Sequence, residues 1–188
     1  MGAAEKFKAD YEALENEMKL LAETDGDIFL PNPLSLGPVD YVFISMEPSL
    51  GRWARSAEEA KSKIDAGLLN FTSSIEDFIF HFCIKQYLCE PSQHYHITDL
   101  SKGAMLIKHA DAKRAERYDR WHDLLLKEVD LVAPIDAIPS PIIIAVGRAV
   151  VKQLERRKFQ RPFTHVIHYS KLAAKARAAG IIGCENSF

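Results

Sequence analysis

The chain has little sulfur and no obvious cofactor handle. Its 188 residues include three cysteines, Cys83, Cys89 and Cys184. The number is odd and none forms a CxxC pair, which argues against a disulfide framework or a thiolate zinc site. Three thiolates also cannot supply the four ligands of an iron–sulfur cluster. No apolar run approaches the ~20 residues that span a bilayer. Met1 to Ala22 is acidic and amphipathic, unlike the basic-then-apolar pattern of a secretory leader, so a cytoplasmic location is expected. There is no P-loop, no G-x-G-x-x-G and no G-x-S-x-G, which removes the usual signatures of nucleotide binding and of serine hydrolases. No internal repeat or low-complexity tract interrupts the sequence.

What is present reads as an ordinary globular chain: 47% hydrophobic, 27% charged, with a net charge of −2. One domain over 1–188 is expected, with an N-terminal helical segment over 1–30. The charge is unevenly spread. Met1 to Leu50 holds ten acidic residues against three lysines, whereas Arg148 to Arg177 holds nine basic residues against Glu155. Such asymmetry suggests a basic face on an acidic body.

Periodicity predicts helices over Glu5–Ala22 (Phe7, Tyr11, Leu14, Met18 and Leu21 inward), Arg55–Ala66, Asp111–Val132 (Trp121, Leu124, Leu125, Val129 and Val132 inward), Val150–Arg157 and Lys171–Ala179. Ser73 with Glu76 reads as a capping box opening a further helix to Leu88, with Ile75, Phe78, Ile79 and Phe82 inward. Short β-branched and aromatic runs predict strands at Tyr41–Ile44, Tyr95–Thr98, Ile142–Val146 and Phe163–Ile167. Alternation of the two predicts an α/β fold: three α/β/α layers around a short, mostly parallel sheet.

In such folds ligands gather outside the carboxyl ends of the strands. The segments there carry chemistry: Ser45-Met46-Glu47-Pro48 after the first strand, Asp99 and Lys102 after the second, and His168-Tyr169-Ser170 after the fourth. Carboxylates, a histidine and hydroxyls in one crevice suit glycosidic cleavage. An acidic group can orient water and stabilise a cationic sugar, and a donor can take up charge on the departing base. His94 and His96 share a strand face, but no third ligand accompanies them. They read as surface histidines, and no metal or other cofactor is expected.

The order of these segments resembles the uracil-DNA glycosylase superfamily. Tyr41 to Pro48 is similar to its first motif, a strand running into an acidic or amide residue just before proline. His96 to Lys102 is similar to its second strand, which normally ends in a base-reading asparagine. Trp121 to Val129, with Pro134 and then Ile142 to Gly147, resembles its long helix, proline stop and strand–glycine–helix unit. Val166 to Ser170 resembles its final motif, usually His-Pro-Ser. The resemblance runs from about Tyr41 to Lys175 and implies a DNA glycosylase that flips uracil or another deaminated base out of the helix. It implies Glu47 as the water-activating carboxylate, with Asp99 as the alternative, and His168 as the group that stabilises the leaving base. Ser45, Met46, Asn70, Phe71 and Asp99 would bind the base. Ser49, Arg52, Lys102, Tyr169, Ser170, Lys171 and Lys175 would contact DNA, with Leu172 as the wedge that fills the gap. DNA is the implied partner, of a monomer. Aspartate at 99 in place of asparagine, and Tyr169 in place of proline, imply a divergent branch with altered base specificity. A DNA- or nucleotide-binding module of the same fold, without chemistry, is the alternative.

Overall fold

A computed structural model describes residues 2–35, 37–48, 53–104 and 114–169. In chain order they form α1 (Ala3–Asp25), β1 (Ile28–Phe29), β2 (Tyr41–Ser45), α2 (Ala57–Asp65), α3 (Ile75–Tyr87), β3 (Tyr95–Asp99), β4 (Gly103–Ala104), α4 (Arg114–Val132), β5 (Ile142–Val146), α5 (Arg148–Arg156) and β6 (Phe163–Val166). The helix expected over Lys171–Ala179 lies outside the described residues.

The central sheet has the order β3-β2-β5-β6, and every pairing in it is parallel. β1 and β4 form a separate two-residue antiparallel ladder. The chain leaves β2, returns as β3 on one side, then crosses to β5 on the other. This reversal places a switch point at the carboxyl ends of β2 and β5, where open parallel sheets form a crevice.

Both sheet faces are covered, which is why the two central strands, β2 and β5, are almost wholly apolar. Val42, Ile44, Ile143 and Ala145 face a core built with Tyr11 of α1, Leu125 and Val129 of α4, and Val150 and Leu154 of α5. Phe43, Ile97, Ile144 and Val146 face Phe80 and Ile84 of α3. Helices α1 and α4 pack through Leu14, Met18, Ala22, Trp121 and Leu124. Gly26 ends α1 in the left-handed region (φ 75°), as a helix-terminating glycine does. Asp25 just before it accepts from Arg120 and Trp121 of α4.

Helix α3 departs from the sequence expectation. Its N-cap is Ser74 with Asp77, one residue later than Ser73 with Glu76. Ile75, Phe78, Ile79 and Phe82 are exposed, and Phe80 and Ile84 are buried. The helix is apolar on nearly every side, so periodicity alone does not choose the inward stripe. The sheet chooses it, because the Phe80 ring meets Phe43 edge-on at 5.6 Å. Among the described residues no helix is long and apolar enough to cross a membrane.

Candidate active site at the carboxyl ends of the strands

The ends of β2 and β3 are zipped together. Ser45 and Asp99 are partners in register. Beyond them Leu100 N–H donates to the Ser45 carbonyl at 2.9 Å, and Ser101 N–H to that of Met46 at 3.4 Å. The carbonyls of Ser45 and Met46, two residues expected to bind the base, are therefore bonded to the β3 loop. Asp99 is 3% exposed. Its Oδ2 accepts from Asn70 Nδ2 at 2.6 Å.

Asn70 belongs to a longer polar chain. Its Nδ2 also donates to Asn32 Oδ1 at 3.1 Å, and Asn32 Nδ2 donates to the Ile97 carbonyl at 2.8 Å. The Phe71 N–H donates to Asn70 Oδ1 at 3.1 Å. The Phe71 carbonyl lies 2.9 Å from His81 Nε2, whose Nδ1 lies 2.6 Å from Tyr95 Oη. A carbonyl only accepts, so Nε2 donates to it, and in the neutral ring Tyr95 donates to Nδ1. Phe71 has φ 56°, unfavourable for a large side chain. Bonds to its N–H and its carbonyl hold it there, and its ring packs with Phe80, Val146 and Tyr169.

On the other side of the switch point, Gly147 has φ 95° and a Cβ there would stand 3.2 Å from His168 Cβ. Glycine at this position lets the histidine settle on the backbone. Burial pushes the His168 imidazole down from its ordinary value, towards the neutral ring. Tyr169 stacks on His168 (4.8 Å, 10°) and on Phe80 (4.3 Å, 7°). This tyrosine is sandwiched in an aromatic stack.

The two carboxylates differ in partner. Glu47 lies 2.9 Å from the Arg114 guanidinium of α4. Asp99 is pushed well above the usual carboxylate range by burial, with Glu47 and Glu128 adding to the effect and Lys102 and Asn70 opposing it.

Lys102 is corrected by the structure. It is 1% exposed, and its ammonium is ion-paired with Glu128. It lies inside the protein and not on a surface that phosphates reach. Glu128 also accepts from Tyr11 Oη (2.9 Å), His96 Nε2 (2.8 Å) and Thr98 Oγ1 (2.7 Å). His96 is thus a buried histidine, whereas His94 is exposed. This network escaped the sequence reading; its one signal was a glutamate between Leu125 and Val129 on the inward face of α4. The basic face is also thinner than the count implied. Arg157 pairs with Asp119, and Arg161 lies 3.5 Å from Asp130. Arg148, Lys152, Arg156 and Lys158 are exposed. Ser49, Arg52, Ser170, Lys171, Leu172 and Lys175 lie outside the described residues.

No group of three or more metal-ligating side chains occurs among the described residues. A recess of about 720 Å³ lies against α1, β1 and α2, but its lining includes none of the strand-end residues and mixes lysines with carboxylates. Comparison with protein-family models, with curated proteins and with solved structures returned no match.

Proposed function

We propose that the protein is a DNA glycosylase that hydrolyses the N-glycosidic bond of uracil, or of another deaminated base, flipped into the crevice at the ends of β2, β3, β5 and β6. The observation that carries this reading is that a buried Asp99 held by Asn70 and His168 seated on Gly147 both lie at the carboxyl ends of the parallel strands, with Tyr169, stacked on His168, in electrostatic reach of Asp99. The order of segments that resembles the glycosylase superfamily supports it.

In this reading Glu47 orients water and accepts its proton. The water oxygen bonds to C1′ as the C1′–N bond breaks, and the bonding pair leaves with the base. A neutral His168 donates a hydrogen bond to the base carbonyl that gathers this charge. Asp99, held by Asn70, reads the base edge. Arg148, exposed in the first turn of α5 beside Gly147, and Lys152 contribute phosphate contacts. Ser49, Arg52, Tyr169, Ser170, Lys171, Leu172 and Lys175 keep the DNA-contacting roles that the resemblance implies.

The test is cleavage of oligonucleotides carrying one uracil or hypoxanthine, single- or double-stranded, without added metal. Wild type should cleave, and Glu47→Gln and His168→Ala should each lower the single-turnover rate by about 100-fold or more. DNA binding without cleavage of any substrate would convert the reading to a binding module. Absence of both would remove it.

A further inference from the structure

The polar chain ending on Asp99 has a fixed direction. Asn70 Oδ1 takes the Phe71 N–H, so the atom facing Asp99 is the amide nitrogen, and it donates to Oδ2. With a donor on Oδ2, a proton on Asp99 is favoured on Oδ1, because the carbonyl oxygen of a carboxyl group is the stronger acceptor. The neutral carboxyl then offers a donor at Oδ1 and a further acceptor lone pair at Oδ2. That is the hydrogen-bonding pattern of a primary amide. It matches a base edge that sets a carbonyl oxygen beside a ring N–H, as uracil and hypoxanthine do. It mismatches cytosine and adenine, whose amine and bare ring nitrogen reverse the pattern.

We infer that Asn70 is a positioning residue: by donating to Oδ2 it sets the proton of the acid form of Asp99 on Oδ1, and so makes that form an amide-like reader of a carbonyl–imide base edge, an inference that rests on the glycosylase reading of this crevice. The surroundings agree. Burial disfavours the anion, and Glu47 from the β2 loop and Glu128 from α4 repel it. Tyr169, after β6, is itself pushed up by burial and by nearby carboxylates, Asp99 among them. Among the described residues Lys102 is the one cation acting on Asp99, and its ammonium is already paired with Glu128. Asn70 favours the anion, but its placement on Oδ2 decides where the proton sits when there is one.

The consequence is a pH-dependent selectivity. The acid form of Asp99 is the reading form, so uracil cleavage should fall as pH rises through its raised titration. An ionised carboxylate only accepts and repels the base carbonyl. Single-turnover cleavage of uracil- and cytosine-containing oligonucleotides from about pH 5 to about pH 9 tests this, since each pH unit beyond the titration costs the acid form about tenfold. Asp99→Asn carries a permanent amide. It should lose the alkaline decline and exceed wild type at the alkaline end, by about tenfold for each pH unit beyond the wild-type titration. Asn70→Ala removes the donor that favours the anion, so its decline should move to higher pH. Its discrimination between uracil and cytosine should fall about 10- to 100-fold, the scale of a base-edge contact.

The inference is overturned by the same alkaline decline in wild type and Asp99→Asn, or by an Asn70→Ala enzyme that is slower with an unmoved decline and intact selectivity. Asp99→Asn inactive at every pH also overturns it, and makes Asp99 the water-activating group. A wild type that cleaves nothing refutes the glycosylase reading instead. In that case a carbon-13 titration of the Asp99 carboxyl, assigned with Asp99→Asn, decides the positioning role: Asn70→Ala must raise its midpoint, and an unmoved midpoint overturns the inference. Circular dichroism of each variant confirms that it is folded.

Discussion

Two buried carboxylates lie near Lys102 on opposite faces of β3. Glu128 reaches up from α4 to the face of His96 and Thr98, whereas Asp99 belongs by strand alternation to the face of Ile97. Burial pushes both towards the neutral form. Glu128 overcomes it, since Lys102 and His96 hold it well below the usual carboxylate range, with Thr98 and Tyr11 also donating. Asp99 receives a side-chain bond from Asn70 and stays high. Surrounding donors, more than depth, decide whether a buried carboxylate is an anion. A saturated one has nothing left to offer a ligand and serves the fold. One with fewer donors, at a strand end, is where a ligand can complete the pattern.

The largest effect expected from this contrast is on stability. Glu128→Ala leaves the buried ammonium of Lys102 and three other donors without an acceptor, and should cost about 3–5 kcal/mol in urea unfolding. Glu128→Leu combined with Lys102→Met removes both charges and should recover much of that loss, because an apolar replacement of a buried pair escapes the desolvation penalty. Asp99→Ala should cost clearly less than Glu128→Ala. Equal costs would break the comparison, since they would mean that both carboxylates serve mainly to hold the fold.

An intermediate effect is expected of one donor. Thr98→Val deletes a 2.7 Å bond to Glu128 and should cost about 1.5–3 kcal/mol, the scale for a hydrogen bond to a charged group. The sign with pH follows from the depressed Glu128 titration. Its contribution is fully present above the unfolded-state value of about 4.3 and is lost as pH falls below it. In Thr98→Val the folded-state titration rises, so the acid decline should be shallower and end at a higher pH. An acid limb identical to that of wild type would show that Thr98 is not part of what holds Glu128 ionised.

The same contrast explains how much the sequence revealed. The four central strands were legible because Tyr41–Ile44, Tyr95–Thr98, Ile142–Val146 and Phe163–Ile167 are short β-branched or aromatic runs between breakers. Their order in the sheet was not, because it depends on crossovers. The strand-end rule placed Ser45, Asp99 and His168 at one edge, since it needs only strand direction. Glu128 was hidden because its partners Tyr11, His96, Thr98 and Lys102 are 117, 32, 30 and 26 residues away in sequence. Lys102 was misread for the same cause: a lysine after a strand reads as surface until an acid from another element accounts for its burial. Asn70 was singled out beside Phe71, but its grip on Asp99 is set by a loop with no period to read. The inward stripe of α3 went wrong through excess of signal, with apolar residues on all its sides.

The smallest effect has the opposite sign and sharpens the comparison most. Asp99 is raised above its unfolded value, so between about pH 3.9 and its folded titration the native state holds a proton that the unfolded state has released. Stability therefore falls as pH rises across that window, the reverse of the Glu128 contribution. Asp99→Asn has no proton to hold. Its carbonyl can accept from Asn70 as Oδ2 does now, and its amide can stand where Oδ1–H would. It should match wild type near pH 3 and be more stable at neutral pH by on the order of 1 kcal/mol, the net scale of one buried polar interaction. Urea midpoints of the two proteins across the range give the difference directly. A difference that stays flat with pH would place Asp99 among ordinary carboxylates, and a stability loss at neutral pH would mean that its anion is held by more than Asn70 and Lys102.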